Sequence, residues 1–398
     1  MQSLYISTDN EWIILKFDKN QPSKVYSHGM LAIKSLQLQQ FKNYSSAKIN
    51  LNSQVNCFVG KNGAGKTNVL DAVYYLSFTK SYFNPTDLQH VLHGENYFSI
   101  SATYNRNDLD ETAFLFFEKG KKVLKINNNE VKKFSEHIGH YPLVMITPND
   151  IMLLHEGSEE RRKFLDGMIS QLDKVYLNDV LMYNRVLEQR NKQLKMFAEY
   201  GQLDNTLLET YNALLVKHGT AIYQKRKSFL DDFVPVFNNF YKQIANASEE
   251  VNINYQSDLL EFSLAQLLQE NTQRDLAAQR TTKGIHKDEL EFCINGFALK
   301  KMGSQGQQKS FIISLKLAQY NYLKNRTTVK PLLLLDDIFE KLDEQRLNTL
   351  LTMIAKGEFG QILITDTHLA RLKEVFSTMP EVAVKYFMVD AGKISELE

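Results

Sequence analysis

The sequence predicts an α/β fold: a core drawn from both ends of the chain, with a β-rich arm, split by an inserted helical lobe. Three observations predict it. An apolar strand, a glycine turn and a helix follow one another from Gln54 to Leu76, apolar residues recur at helical spacing from Thr147 to about Thr282, and strand and helix patterns return after Thr282.

The elements follow in order. Residues 1–29 lack the basic start, apolar centre and small-residue cleavage site of an export signal. They form a leader that is either an upstream start or an added strand, and Met30 opens the functional fold. "LAIKSLQLQQF" alternates like a half-buried strand, and "AKINL" and "QVNCFVG" continue the β pattern into the glycine turn. "KTNVLDAVYYL" places Val69, Leu70, Val73 and Leu76 on one helix face. From Phe98 to Val144 alternation resumes in "YFSISATY", "AFLFFEKGKKVLKIN" and "YPLVMIT", which we assign to the arm. This completes the first half of the core, residues 30–148.

The lobe, residues 149–282, has one stripe through Phe164, Leu165, Met168, Ile169, Leu172 and Val175 and another through Leu207, Leu208, Tyr211, Leu214, Leu215, His218 and Ile222. Pro235 is expected to interrupt the second run, with "IANASEEVN" a loop. The second half of the core, 283–398, reads as a hairpin from "DELEFCING" and "FALKKMG", a helix in "QQKSFIISLKLAQYNYLK", a buried strand "PLLLLDD", a helix "DEQRLNTLLTMIA" and a buried strand "GQILITD".

A chain of 398 residues with 43% hydrophobic and 23% charged residues is that of a globular protein, and no apolar run reaches the roughly 18–20 residues of a membrane span. No membrane association is expected. Cys57 and Cys293 each sit in an apolar run, which argues against a disulfide framework or a metal site and for a reducing cytoplasm. Net charge is +1, but residues 30–80 hold six lysines against Asp71 alone, and "EKGKKVLKINNNEVKK" holds six against two glutamates. By themselves these are solvated faces.

Gly60–Thr67, "GKNGAGKT", matches GxxxxGK[ST] between a strand and a helix, where the mechanism of phosphate binding requires it. Gly60, Lys61, Asn62, Gly63, Ala64 and Gly65 would wrap backbone N–H groups around phosphates. Lys66 would contact the β- and γ-phosphates and Thr67 a magnesium ion. ATP or GTP is the expected ligand. Asp336 and Asp337 end the leucine strand on the side where α/β sheets bind ligands, so Asp336 is expected on the metal and Asp337 as the general base or water-positioning group. Their alternative is to cap the next helix. "GSQGQQKS" (303–310) reads by itself as a polar loop with a capping serine, Ser304.

Standing about 30 residues before the LLLLDD strand, that loop resembles the signature motif of ATP-binding-cassette proteins. The chain as a whole resembles the RecF family, whose ATPase head is similar to those of the SMC proteins. "LAIKSLQLQQFKNY", "GKNGAGKTNVLDAVYYLS", "ITPNDIMLLHEGSEERRKFLD", "YNRVLEQRNKQLK", "KGIHKDELEF", "GSQGQQKSFIISLKLA" and "LLLLDDIFEKLD" carry the resemblance. It implies an ABC-type P-loop ATPase head that binds ATP and Mg2+ and hydrolyses ATP slowly, with Lys66 and Asp337 catalytic. Ser304, Gly306 and Gln307 would reach the nucleotide of a second copy, with Asp343 at the dimer seam. The family departs at Lys309, where arginine is usual, and in "GIHKDE", which keeps His286 and Asp288. Either Asp366 or His368 stands at the position of the γ-phosphate switch, and His368 reads as a surface histidine.

The resemblance further implies an ATP-dependent homodimer clamping DNA, double-stranded, single-stranded or gapped. RecO and RecR would be partners in loading RecA at gaps and feeding the SOS response. It turns the lysine clusters into candidate DNA contacts, gives Arg161 and Arg162 of "SEERRKFLD" a possible role beyond a solvated turn, and makes Asn149 and Asp150 candidate transmitters between nucleotide and lobe. The rival readings are a transporter's ATPase subunit, which would lack the lobe, and an SMC-type tether, which would need a far longer coiled coil. Only residues 365–398 follow Ile364, so no nuclease domain is expected.

Overall fold

The computed structural model describes residues 2–8, 11–17, 29–201, 204–245, 249–339 and 344–397. Asp343 lies outside the described residues. Gln2–Thr8 and Glu11–Phe17 pair as an antiparallel hairpin of their own.

The core sheet runs, edge to edge, Leu143–Ile146, Leu332–Leu335, Ile362–Asp366, Val55–Val59, Val384–Asp390 and Lys393–Leu397. The first five strands are parallel and the last turns back antiparallel. A parallel sheet covered on both faces needs continuous apolar strands, which explains the four leucines. Successive side chains of a strand point to opposite faces. Leu333, Leu335, Cys57 and Ile364 therefore join one hydrophobic core with the helical lobe, while Leu332, Leu334, Phe58 and Leu363 join another. That second core also holds the helix Lys66–Phe78 and an antiparallel sheet ordered Tyr44–Asn50, Leu31–Phe41, Tyr97–Arg106, Leu109–Glu118, Lys121–Ile126 and Asn129–Glu130.

The lobe is built from Ser158–Leu172, Lys174–Tyr200 and Asn205–Ala245, followed by the short helices Leu264–Glu270 and Thr272–Ala278. No described helix is long and apolar enough to cross a membrane.

The structure departs from the sequence reading in four places. "YPLVMIT" supplies the strand Leu143–Ile146 of the core sheet rather than of the arm; all four residues are buried, and an apolar run of that length suits either sheet. Pro235 lies inside an unbroken 41-residue helix on its exposed side, with buried Phe233 and Phe237 anchoring the turns around it. Tertiary packing there outweighs the lost backbone hydrogen bond. Val251–Gln256 is a strand in the otherwise helical segment and pairs with Glu289–Ile294, so a sheet crosses from the lobe into the second half of the core. The expected second hairpin strand shrinks to Phe297–Ala298 and gives way to the helical turn Leu299–Met302.

Candidate phosphate-binding site

Gly60–Thr67 leaves the C-terminal end of Val55–Val59, inside the sheet, and opens the helix Lys66–Phe78. At Gly65 φ is 116°, and a Cβ there would lie 2.5 Å from the Asn43 amide, so only glycine fits. At Gly60 a Cβ would come 2.1 Å from the Val389 carbonyl. The loop is braced from outside the motif. Asn43 Nδ2 donates to Ala64 O at 2.9 Å, Tyr44 OH to Gly65 O at 2.9 Å, and Asn68 Nδ2 to Asn43 Oδ1 at 2.8 Å. These asparagines also line a cleft of about 470 Å³ with Lys42, Asn84, His90 and His93. Lys61, Asn62 and Gly63 are exposed at the loop's tip, while Ala64 is buried under it.

Lys66 is buried and its ammonium donates back to Gly60 O at 2.9 Å and Lys61 O at 3.2 Å. Thr67 Oγ1 donates to Asp336 Oδ1 at 2.8 Å across 269 residues of sequence, so the fold brings loop and acidic strand together. Loss of hydration raises Asp336 above the ordinary carboxylate value, and hydroxyl bonds from Thr365 and Thr67 offset part of that. Asp337 has φ 44°, a left-handed conformation uncommon for a residue with a side chain. Its N–H is held at 2.9 Å by Thr365 Oγ1.

Thr365 was not legible as a site residue. Fully buried in an apolar strand, its hydroxyl lies 2.8 Å from Asp336 Oδ1 while accepting from Asp337, so one side chain fixes both acids. Asp366 is buried too; its carbonyl accepts from Gly60 N at 3.3 Å and its carboxylate from His368 N at 2.7 Å. The His368 ring is exposed, bonded to Thr367 and Arg371.

The signature residues stand elsewhere. Ser304 caps the helix Gln305–Lys324 in a reciprocal box, its Oγ accepting from Gln307 N and its N donating to Gln307 Oε1 at 2.7 Å. Ser304 is exposed, Gln307 Nε2 reaches Glu249 at 2.6 Å, and Gly306 O accepts from Arg346 at 2.9 Å. Arg346 also holds Ser310 Oγ at 2.8 Å and so braces the motif, a role that spacing did not reveal. Among the described residues, no hydrogen bond or ion pair joins 303–307 to 60–67. Further along this helix, Lys316 pairs with Asp150 at 2.7 Å with both side chains buried, and donates to Met145 O at 3.0 Å and Tyr82 OH at 3.2 Å. Asp150 is thus tied to the signature helix.

Three of the lysines expected on an open basic face have carboxylate partners. Lys42 pairs with buried Asp71, Lys122 with Asp87 at 2.8 Å, and Lys34 with Asp110 at 2.7 Å.

Comparison with known proteins agrees with this architecture. The family model described as "RecF/RecN/SMC N terminal domain" matches residues 32–395. A protein of Flavobacterium johnsoniae named "DNA replication and repair protein RecF" is 49% identical over 86% of this chain and 96% of its own. One of the same name from Bacteroides thetaiotaomicron is 40% identical over 92% and 99%. The solved "recombination mediator protein RecF-ATP in RecFOR pathway" superposes with a TM-score of 0.84 at 29% identity, over 94% of this chain and 100% of that one. An Smc head domain from Pyrococcus furiosus, at 15% identity and a TM-score of 0.52 over 93% and 97%, shares the fold. A phosphate loop joined to an acidic strand in an SMC-type head, with this identity along nearly the whole chain, places the protein in the RecF family.

Proposed function

We propose that the chain is an ATP-binding and ATP-hydrolysing protein of DNA replication and repair that pairs with a second copy when ATP is bound and so closes on DNA. The observation that carries this reading is a separation. Loop and acidic strand meet through Thr67 and Asp336, whereas Ser304 is exposed and, among the described residues, bonded only to its own helix. The N-terminal end of a helix suits a γ-phosphate, and one supplied by another molecule would complete the site. The names of the relatives and the ATP-bound solved neighbour support ATP and DNA as ligands.

Magnesium fits the residues present. Thr67 gives its proton to Asp336, which leaves hydroxyl lone pairs beside a carboxylate, an oxygen donor set for a small hard cation. Such an ion, held by Thr67 and Asp336, would neutralise charge developing on the transferred phosphate. Lys66 would exchange its two carbonyl partners for phosphate oxygens, and Asp337 would orient or deprotonate the attacking water. Turnover is expected to be slow, with opening of the pair following hydrolysis and no nuclease activity. Work alongside RecO and RecR in loading RecA at gaps, and through it the SOS response, belongs to the same reading, as does a cytoplasmic location. The division into a leader 1–29, core halves 30–148 and 283–398 and a lobe 149–282 is proposed on the same footing.

Sedimentation with and without ATP tests the reading. The unaltered chain should pair only with ATP, Lys66→Met should lose nucleotide, and Ser304→Arg should bind nucleotide yet stay monomeric. Normal pairing of Ser304→Arg would refute a site completed by a second copy.

A further inference from the structure

A cleft of about 350 Å³ opens in the lobe away from the phosphate loop, between the start of Ser158–Leu172, the middle of Lys174–Tyr200 and the turn Ile285–Lys287. Four cations line it, Arg162, Lys163, Arg226 and Lys287, against two carboxylates, Glu159 and Asp166. The carboxylates are already used. Asp166 takes Arg226 at 2.9 Å, and Glu159 takes Lys163 at 3.0 Å. Arg226 is further neutralised by Asp288 at 3.1 Å.

What remains is positive. Among the described residues, the one hydrogen-bonded partner of Arg162 is a backbone carbonyl, Asp288 O at 2.6 Å. Lys287 and its neighbour Arg280 are exposed and have no carboxylate partner among the described residues. Loss of hydration, then the charges of Arg280 and Arg162, hold the Lys287 ammonium below its ordinary value. Arg162 is in turn pressed by Arg226. His286, lining the same cleft, is pushed down to about 4, chiefly by burial, and adds no charge at neutral pH. Beyond Lys163, Lys80 is held below its ordinary value by loss of hydration and then by the Lys163 ammonium, with Asp166 opposing. Cations that outnumber the carboxylates beside them in a concave, partly dehydrated surface suit an anion that arrives from outside.

We infer that this ridge, Lys80, Arg162, Lys287 and Arg280, is where the protein takes the phosphodiester backbone of duplex DNA, in preference to the lysine-rich antiparallel sheet. The inference rests on the DNA-binding reading above and locates its contact. Spaced cations of this kind grip phosphates without reading bases, so binding is independent of sequence and steep in salt. On the sheet Lys34, Lys42 and Lys122 already have carboxylate partners, and Lys119 and Lys121 stand on a hairpin rather than around a cleft.

The test measures affinity for a fluorescent 40-base-pair duplex, with ATP, across a salt series for the full chain and two triple variants. Lys80→Gln/Arg280→Gln/Lys287→Gln removes cations that no carboxylate holds, so it should melt like the unaltered chain. Its log–log salt slope should flatten by about 2–3 and its Kd should rise on the order of 100-fold near 0.1 M salt. Lys119→Gln/Lys121→Gln/Lys132→Gln, on the sheet, should change both far less. An unchanged slope and Kd in the ridge variant, with the duplex still bound, would overturn the inference and leave the DNA reading intact. A chain that fails to bind the duplex at low salt with ATP overturns both.

Discussion

Replacing Lys316 by methionine probes how the signature helix is held to the core. The Lys316 and Asp150 side chains are 4% and 2% exposed and 2.7 Å apart, and the ammonium also donates to Met145 O and Tyr82 OH. Removing one partner of a buried pair leaves the other charge in a medium that cannot hydrate it, at about 3–5 kcal/mol. That is a large part of the roughly 5–15 kcal/mol by which a domain is folded. Lys316→Met should therefore lower the midpoint of thermal unfolding by roughly 5–10 °C, followed by circular dichroism. Lys316→Met/Asp150→Leu removes both charges and should recover much of the loss, with a coupling of about 2–3 kcal/mol between the positions. If the chain pairs with ATP as proposed, that pairing should stay impaired in the double variant, because the helix bearing Ser304 has lost its polar tie to Met145 O. A single variant melting within about 1 °C of the unaltered chain, or strictly additive losses, would refute the reasoning.

Thr365→Val keeps the shape of the side chain but removes the donor to Asp336 and the acceptor for Asp337 N–H. ATP turnover should fall about 10–100-fold, Thr365→Ser should retain most of it, and ATP binding measured separately should change little. Gly65→Ala must adopt φ near 116° with a Cβ 2.5 Å from Asn43. It should abolish the rise in melting temperature expected of the unaltered chain with ATP. His137 is buried and pushed down to about 4, first by burial and then by His140 and Lys174. Its folded value lies below its unfolded one, so the native state binds fewer protons and stability falls as pH drops from about 6.5 towards 4. His137→Asn should flatten that part of a stability-against-pH curve.

The strand Leu31–Phe41 and the phosphate loop were legible because their signals are local: alternation in one, glycines with a lysine and threonine in the other. The leucine strand was legible because burial on both faces leaves an unbroken apolar run. Leu143–Ile146 carries the same kind of run, yet nothing within it says which of two sheets it joins; that is set by pairing with Leu332–Leu335, nearly 190 residues away. The helix through Pro235 was misread because a proline's effect depends on the face it occupies, which the flanking phenylalanines decide. Lysine-rich composition says nothing of which lysines are paired for a related reason, since Asp71, Asp87 and Asp110 meet theirs only in the folded chain. Thr365 and Arg346 escaped notice because neither belongs to a motif and each acts by bracing another residue.

The carbonyls of Gly60 and Lys61 give the Lys66 ammonium a resting place when no phosphate is near. Departure of a nucleotide therefore strands no bare positive charge, and arrival of the next exchanges one set of oxygen neighbours for another. In the proposed cycle, loading and unloading would then proceed by a swap of partners at one ammonium group.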